Sequence, residues 1–228
     1  MLKMLMLAGL LLPLLATAVE PVAAWNLDNR AELVKMFRNP DAVIAVPGLQ
    51  GQALSFQGKY KGNKAGCLVI RDLKLDFTKP FTAEVIFKID RKAVRTHFKE
   101  FFNMCDSERG PGIRLGYYYG ALRFRSGDGK KFTEAVSSNT KVAISHEEWH
   151  LMTVTYDGKA SCIYLDGVLA ARKEMTITAP KKTRYLTVGS YRNGYSYPLC
   201  GAIDDLKFYN VCKDASQVAE KYIEIFGE

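Results

Sequence analysis

The sequence is short of proline and glycine, with 8 and 18 in 228 residues. That excludes a collagen-like or low-complexity chain. No fixed period recurs, which excludes a solenoid or a propeller. Histidine is scarce, at three residues: His97, His146 and His150. No C-x-x-C pair occurs, so the usual zinc-ribbon and thioredoxin-like motifs are absent. No apolar run reaches the roughly 20 residues that a membrane-spanning helix needs. What is present is ordinary globular material, 48% hydrophobic and 25% charged. It is enough for one domain of about 200 residues with its own core.

The first 24 residues read differently from the rest. Lys3 precedes an apolar run from Met4 to Leu15, and small residues follow at Ala16-Thr17-Ala18 and Val22-Ala23-Ala24. This is the pattern of a cleaved secretory signal peptide. The expected cut is after Ala24, which makes residues 25–228 the mature domain and places it outside the cell or in the periplasm. The net charge of +8 suits an anionic partner such as an acidic glycan, and nucleic acid is a poorer fit for an exported chain. Five cysteines, Cys67, Cys105, Cys162, Cys200 and Cys212, permit disulfides, but an odd number leaves at least one unpaired. A strand over 203–209 would hold Cys200 and Cys212 too far apart to bond.

Periodicity predicts mostly strands. A short helix is expected over 29–38, with Asn29 and Glu32 as a capping pair. Strands are expected over 53–57, 68–77 and, most clearly, 82–89, where Ala83, Val85, Phe87 and Ile89 share a face. The charged stretch 90–112 reads as an irregular connection, followed by strands over 113–119 and 121–126. Two Asp-Gly turns, Asp157-Gly158 and Asp166-Gly167, break 149–174 into a three-stranded meander. Strands over 184–189 and 202–209 and a helix capped by Asp214 and Gln217 complete the chain. The class is all-β: a two-sheet antiparallel sandwich with a C-terminal helix.

The ordered pieces Trp25-Asn26-Leu27-Asp28, Gly51 to Gly58, Pro80 to Glu84, Trp149-His150, Tyr156-Asp157-Gly158, Ile163 to Gly167, Leu186 to Ser190 and Gly201 to Asn210 resemble the laminin-G-like branch of the concanavalin A-like lectin/glucanase superfamily. The second half is also similar to pentraxins. The resemblance implies a jelly roll. It also implies a structural Ca²⁺ held by Asp204, with Asp28 on the N-terminal strand as a second ligand. Gln57 stands where relatives often carry Asp, and Lys213-Asp214 where Leu-Ser is usual. An acid on the apolar face of a strand needs a cation or backbone N–H groups as partner.

Catalytic patterns are weak. His146 to His150 spells H-E-x-x-H, but a β-rich segment follows at once and the helix that a zinc protease needs cannot continue. The paired carboxylates of a retaining glycosidase are missing from any one strand. Tyr191-Arg192-Asn193-Gly194-Tyr195 resembles a motif of alginate-lyase-type jelly rolls, but its companion motifs are absent. The tyrosines point instead to binding, since aromatic faces suit sugar C–H groups. The expected contact residues are Tyr191, Arg192, Asn193, Tyr195 and Tyr118. The expected function is that of a secreted, non-catalytic, lectin-like domain for a polysaccharide or glycoconjugate. The alternatives are an adhesion module for a cell-surface protein and a polysaccharide lyase.

Overall fold

A computed structural model describes residues 19–58, 64–93, 98–137 and 143–227. Residues 1–18, most of the segment expected to be a signal peptide, lie outside these. In chain order the strands begin with β1 (Ala23–Trp25), β2 (Phe37–Arg38), β3 (Val43–Pro47), β4 (Gln52–Phe56) and β5 (Cys67–Ile70). Then come β6 (Phe81–Ile89), β7 (Lys99–Cys105), β8 (Gly112–Tyr118), β9 (Ala121–Gly127) and β10 (Phe132–Val136). The last are β11 (His150–Tyr156), β12 (Ala160–Leu165), β13 (Val168–Glu174), β14 (Leu186–Val188) and β15 (Gly201–Tyr209). Two helices, α1 (Arg30–Leu33) and α2 (Ala215–Phe226), stand near the ends.

The strands form two antiparallel sheets. One has eight strands in the order β13-β12-β11-β6-β15-β4-β3, with β1 added on β15. The other has seven, in the order β10-β9-β8-β7-β14-β5-β2. Their inner faces bury one core of aliphatic and aromatic side chains. Edge-on aromatic contacts cross it: Phe87 meets Phe101 at 4.7 Å and Phe102 meets Phe208 at 5.5 Å between ring centroids. This is the expected jelly-roll sandwich.

Local chemistry sets the elements. The β11–β12 hairpin closes where the Asp157 carboxylate accepts from the Lys159 and Ala160 amides. Asp214 caps α2 by accepting from the Gln217 amide, and the Gln217 side chain accepts from the Asp214 amide. The Asn29–Glu32 cap also forms, but α1 has only four residues and passes into a 3₁₀ turn at 34–36. Two expectations are corrected. The stretch 90–112 holds strand β7, whose alternation is broken by a bulge between Glu100 and Phe102, so two consecutive Phe reach the core. The predicted strand 68–77 pairs only as far as Ile70.

The two outer faces differ in what covers them. α2 packs over the eight-stranded sheet with Val218 fully buried. There Glu84 accepts from Tyr209 Oη at 2.8 Å and from Lys213 Nζ at 2.6 Å. Among the described residues no helix lies over the seven-stranded sheet. The loop 189–200 folds onto it, and that is where the candidate site lies.

Candidate functional site

Alternation along β8 and β9 sends Ile113, Leu115, Leu122 and Phe124 inward and Arg114, Gly116, Tyr118, Arg123 and Arg125 outward. Arg114 sits at the centre of this outer face. Its Nε and Nη2 donate to the two Glu100 carboxylate oxygens at 2.9 and 3.0 Å, a bidentate pair that is almost fully buried. Full burial pushes the Glu100 carboxyl upward, and the facing guanidinium opposes that push.

Three rings surround the same guanidinium. Tyr191, Phe98 and Tyr197 have centroids 4.4, 5.1 and 5.6 Å from its central carbon. Phe98 lies flat on the sheet because residue 116 is glycine: a Cβ there would stand 2.0 Å from the Phe98 ring. The array continues outward. Arg125 lies between Phe98 and Phe132 at 4.7 and 4.6 Å, and Arg123 lies over Tyr118 at 5.4 Å. Glu134 bridges Arg123 and Arg125 at 2.8 and 2.7 Å. With Arg192 and the rim residues Arg109 and Glu108, five guanidiniums stand against three carboxylates, so the face keeps a positive surplus.

The loop 189–200 is strained. Arg192, Asn193, Tyr197 and Cys200 all have positive φ, as do Gly189 and Gly194. Non-glycine residues hold such angles only where their surroundings enforce them. Here the Asn103 side chain accepts from the Arg192 amide at 3.1 Å, and Thr187 Oγ1 accepts from the Asn193 amide at 3.1 Å. Gly194 could not be replaced, since its Cβ would meet Ala65 O at 2.8 Å.

The expected contact residues therefore fall into two groups. Tyr195, at 59% exposure, and Arg192 face solvent, and Asn193 and Tyr118 are half-buried. Tyr191 is buried at 2% and acts as a platform for Arg114. Burial also pushes its phenol up. The arginine array was missed in the sequence. Its one signal was the alternation of Arg123 and Arg125 along β9.

Asp204 and Asp28 have their partners without a cation. Asp204 Oδ2 accepts from the Leu49 and Gln50 amides at 2.7 and 3.2 Å, and Asp28 Oδ1 accepts from the Gln52 amide at 2.8 Å. Both line a cavity of about 660 Å³ with Asp205, Glu32 and Glu224. Ca²⁺ needs converging carbonyl and carboxylate oxygens, whereas these carboxylates face amide donors. Among the described residues no group of three or more His, Cys, Asp or Glu converges on a metal position. The donor set does not fit a calcium site, and both acids serve to hold the β3–β4 turn.

The H-E-x-x-H segment forms a turn entering β11, not a helix. His150 Nδ1 is 2.7 Å from Asp166 Oδ2, and its Nε2 is 3.0 Å from Ser145 Oγ. Position alone gave no hint of this Ser–His–Asp sequence of contacts. It is not an activated nucleophile. Ser145 Oγ donates to Glu148, and Nε2 also faces the Ser145 carbonyl at 3.2 Å. Both ring nitrogens thus meet acceptors, which favours an imidazolium. Burial lowers the His150 pKa, but the Asp166 hydrogen bond and charge outweigh it and leave it above its ordinary value.

The comparisons agree with this architecture. The fold is similar to the binding domain of botulinum neurotoxin DC in complex with SialylT, with a TM-score of 0.61, 13% identity and coverage of 80% of this chain and 45% of that chain. The same neurotoxin domain in complex with rat synaptotagmin II gives a TM-score of 0.61 at 13% identity, over the same shares of the two chains, 80% and 45%. The binding domain of Paraclostridial Mosquitocidal Protein 1 gives 0.60 at 16% identity, over 82% of this chain and 49% of that chain. This chain spans less than half the length of each. No curated protein matches it in sequence. Residues 61–219, well over half of the chain, match the Laminin_G_3 family model. On that match and on its paired antiparallel sheets, the chain belongs to the concanavalin A-like lectin/glucanase superfamily.

Proposed function

We propose that this chain is an exported, non-catalytic, lectin-like domain that binds an acidic glycan or glycoconjugate on the outer face of its seven-stranded sheet. The observation that carries the reading is the arginine–aromatic array in which buried Arg114 supports the more exposed Arg123 and Arg125, beside a strained loop that presents Arg192 and Tyr195. Aromatic faces take sugar C–H groups, and guanidiniums take carboxylate or sulfate with paired hydrogen bonds. The array leaves its positive surplus on the outer face that, among the described residues, no helix covers. Structures of similar fold include a neurotoxin domain in complex with SialylT, which is consistent with a glycan ligand.

A protein partner is the second reading. The edge strand β10 exposes Phe132 at 41% and Val136 at 38% beside the array. Apolar side chains on an open edge suit a protein surface better than a sugar.

Binding to an array of acidic and neutral polysaccharides tests both. The expected result is saturable binding to acidic glycans that weakens as salt rises. The variants Arg192→Ala and Tyr195→Ala should each reduce affinity about tenfold, roughly 1.4 kcal/mol, with unchanged melting temperature. Undiminished affinity in the folded double variant would remove the loop from the site. Absence of any glycan binding by folded protein would favour the protein partner.

A further inference from the structure

All five cysteines carry free thiols in this structure. Three lie apart from one another. Cys67 is buried against Ser190 and Arg38. Cys105 is buried among Glu100 and Arg114, and Cys200 lies near Lys99 and Asp90. Cys200 and Cys212 flank β15, whose nine residues put them about 30 Å apart along an extended strand.

Cys162 and Cys212 are placed differently. Thr82, Thr155 and Cys162 form one registered row across β6, β11 and β12. The inward neighbours Phe81, Tyr156 and Ile163 set that row on the outer face. The chain leaving β15 passes over this row. Thr82 Oγ1 donates to the Val211 carbonyl at 2.8 Å and accepts from the Lys213 amide at 2.9 Å. These two bonds pin the residues on either side of Cys212, and its thiol reaches Thr155. Thr155 is the direct cross-strand partner of Cys162. Cys162 thus stands one strand spacing, about 4.8 Å, from the threonine that Cys212 contacts, so both cysteines adjoin one residue of the outer face, and a bridge between them needs a Cα separation of about 4.4–6.8 Å. Both thiols are half-buried, so a small oxidant can reach them. Burial pushes the Cys212 thiol up, and Cys162 is among the neighbours that add to the shift.

We infer that Cys162 and Cys212 form a disulfide in an oxidising environment, and that it ties the start of α2 to strand β12. The oxidant is a small disulfide such as glutathione disulfide. One protein thiolate attacks it, forms a mixed disulfide and releases one glutathione. The second thiolate displaces the other glutathione. Two protein thiols and one glutathione disulfide thus become one protein disulfide and two glutathione thiols. The remaining cysteines stay as thiols, which accounts for the odd number.

The test is a non-reducing peptide map of the full chain after equilibration with oxidised and reduced glutathione. The expected product joins the peptides of Cys162 and Cys212 at a mass two hydrogens below their sum. Reduction should then lower the melting temperature by about 5–15 °C, given a closed loop of roughly 50 residues. Cys162→Ser and Cys212→Ser should each lose the same increment, and the double variant no more than either. Full alkylation of both residues, a bridge to another cysteine, or a dimer linked through either one would overturn the assignment. The map uses unmodified protein, so a variant that fails to fold does not affect it.

Discussion

Arg114 shows how much of the site rests on a single side chain. Its charge is satisfied by Glu100 and enclosed by Tyr191, Phe98 and Tyr197. Removing one partner of a buried pair leaves the other charge unmatched, which costs about 3–5 kcal/mol. Glu100→Gln should therefore lower the unfolding free energy by that amount, and urea titration will measure it. Arg114→Lys keeps the charge but loses the planar fork and the stacking, so it should recover only part of the loss. A Glu100→Gln protein as stable as the parent would show that the pair contributes nothing. The sequence offered Arg114 no distinction, because its environment comes from two segments far apart in the chain, 98–100 and 191–197. Tyr191 was legible as an aromatic beside a turn, but not as buried. Whether such a residue faces out depends on which way the loop 189–200 folds, and the Asn103 and Thr187 side chains on the sheet decide that.

Elements with regular alternation were legible, and those with broken or half-polar patterns were not. The stretch 82–89 and the Asp-Gly hairpins carry period and turn chemistry together, so β6, β11, β12 and β13 emerge close to their expected bounds. β7 was hidden by its bulge, and β3 and β10 are edge strands with mixed faces. The N-terminal strand bears on the export reading. β1 pairs Ala23 with Phe208, Ala24 with Lys207 and Trp25 with Leu206, and the Val22 amide donates to the Phe208 carbonyl at 2.8 Å. A cut after Ala24 would remove most of that pairing, whereas a cut after Ala18 keeps it. The two chains that the proposed cuts would leave, 19–228 and 25–228, should differ in melting temperature by several degrees, in favour of the longer. Each lost backbone hydrogen bond costs about 1 kcal/mol, and 1 kcal/mol corresponds to about 2–4 °C in a domain of this size. Equal melting would leave Ala24 as the preferred cut, and N-terminal sequencing of chain recovered from the medium or periplasm tests the proposed export and its cut together.

At the scale of the whole molecule, two sets of groups shape the dependence of stability on pH. Asp76, Asp128, Asp157 and Asp214 hold turns and a cap by accepting from nearby N–H or O–H groups, and those hydrogen bonds lower their pKa values. Asp106 faces burial, but the amides of residues 181–183 outweigh it and lower its pKa as well. Groups depressed on folding stabilise above the ordinary aspartate value of about 3.9, and this contribution is lost as pH falls through their lower folded values. His150 has the opposite sign. Its folded pKa is raised, so its contribution is complete below the ordinary value of about 6.5 and is lost as pH rises through the folded one. These two sets give an acid limb from the turns and a shallower limb above neutrality from one hairpin, while the buried carboxyls of Glu100 and Asp204, raised on folding, act against the acid limb. Asp166→Asn separates the two. The amide oxygen can still accept from the Leu151 amide, as Asp166 Oδ1 does at 2.9 Å, but the charge that raises His150 is gone. Urea unfolding from pH 3 to 9 should show the acid limb unchanged in this variant and the limb above neutrality flattened. Parallel curves above pH 6.5 would mean that the imidazolium at the mouth of the β11–β12 hairpin has no part in stability.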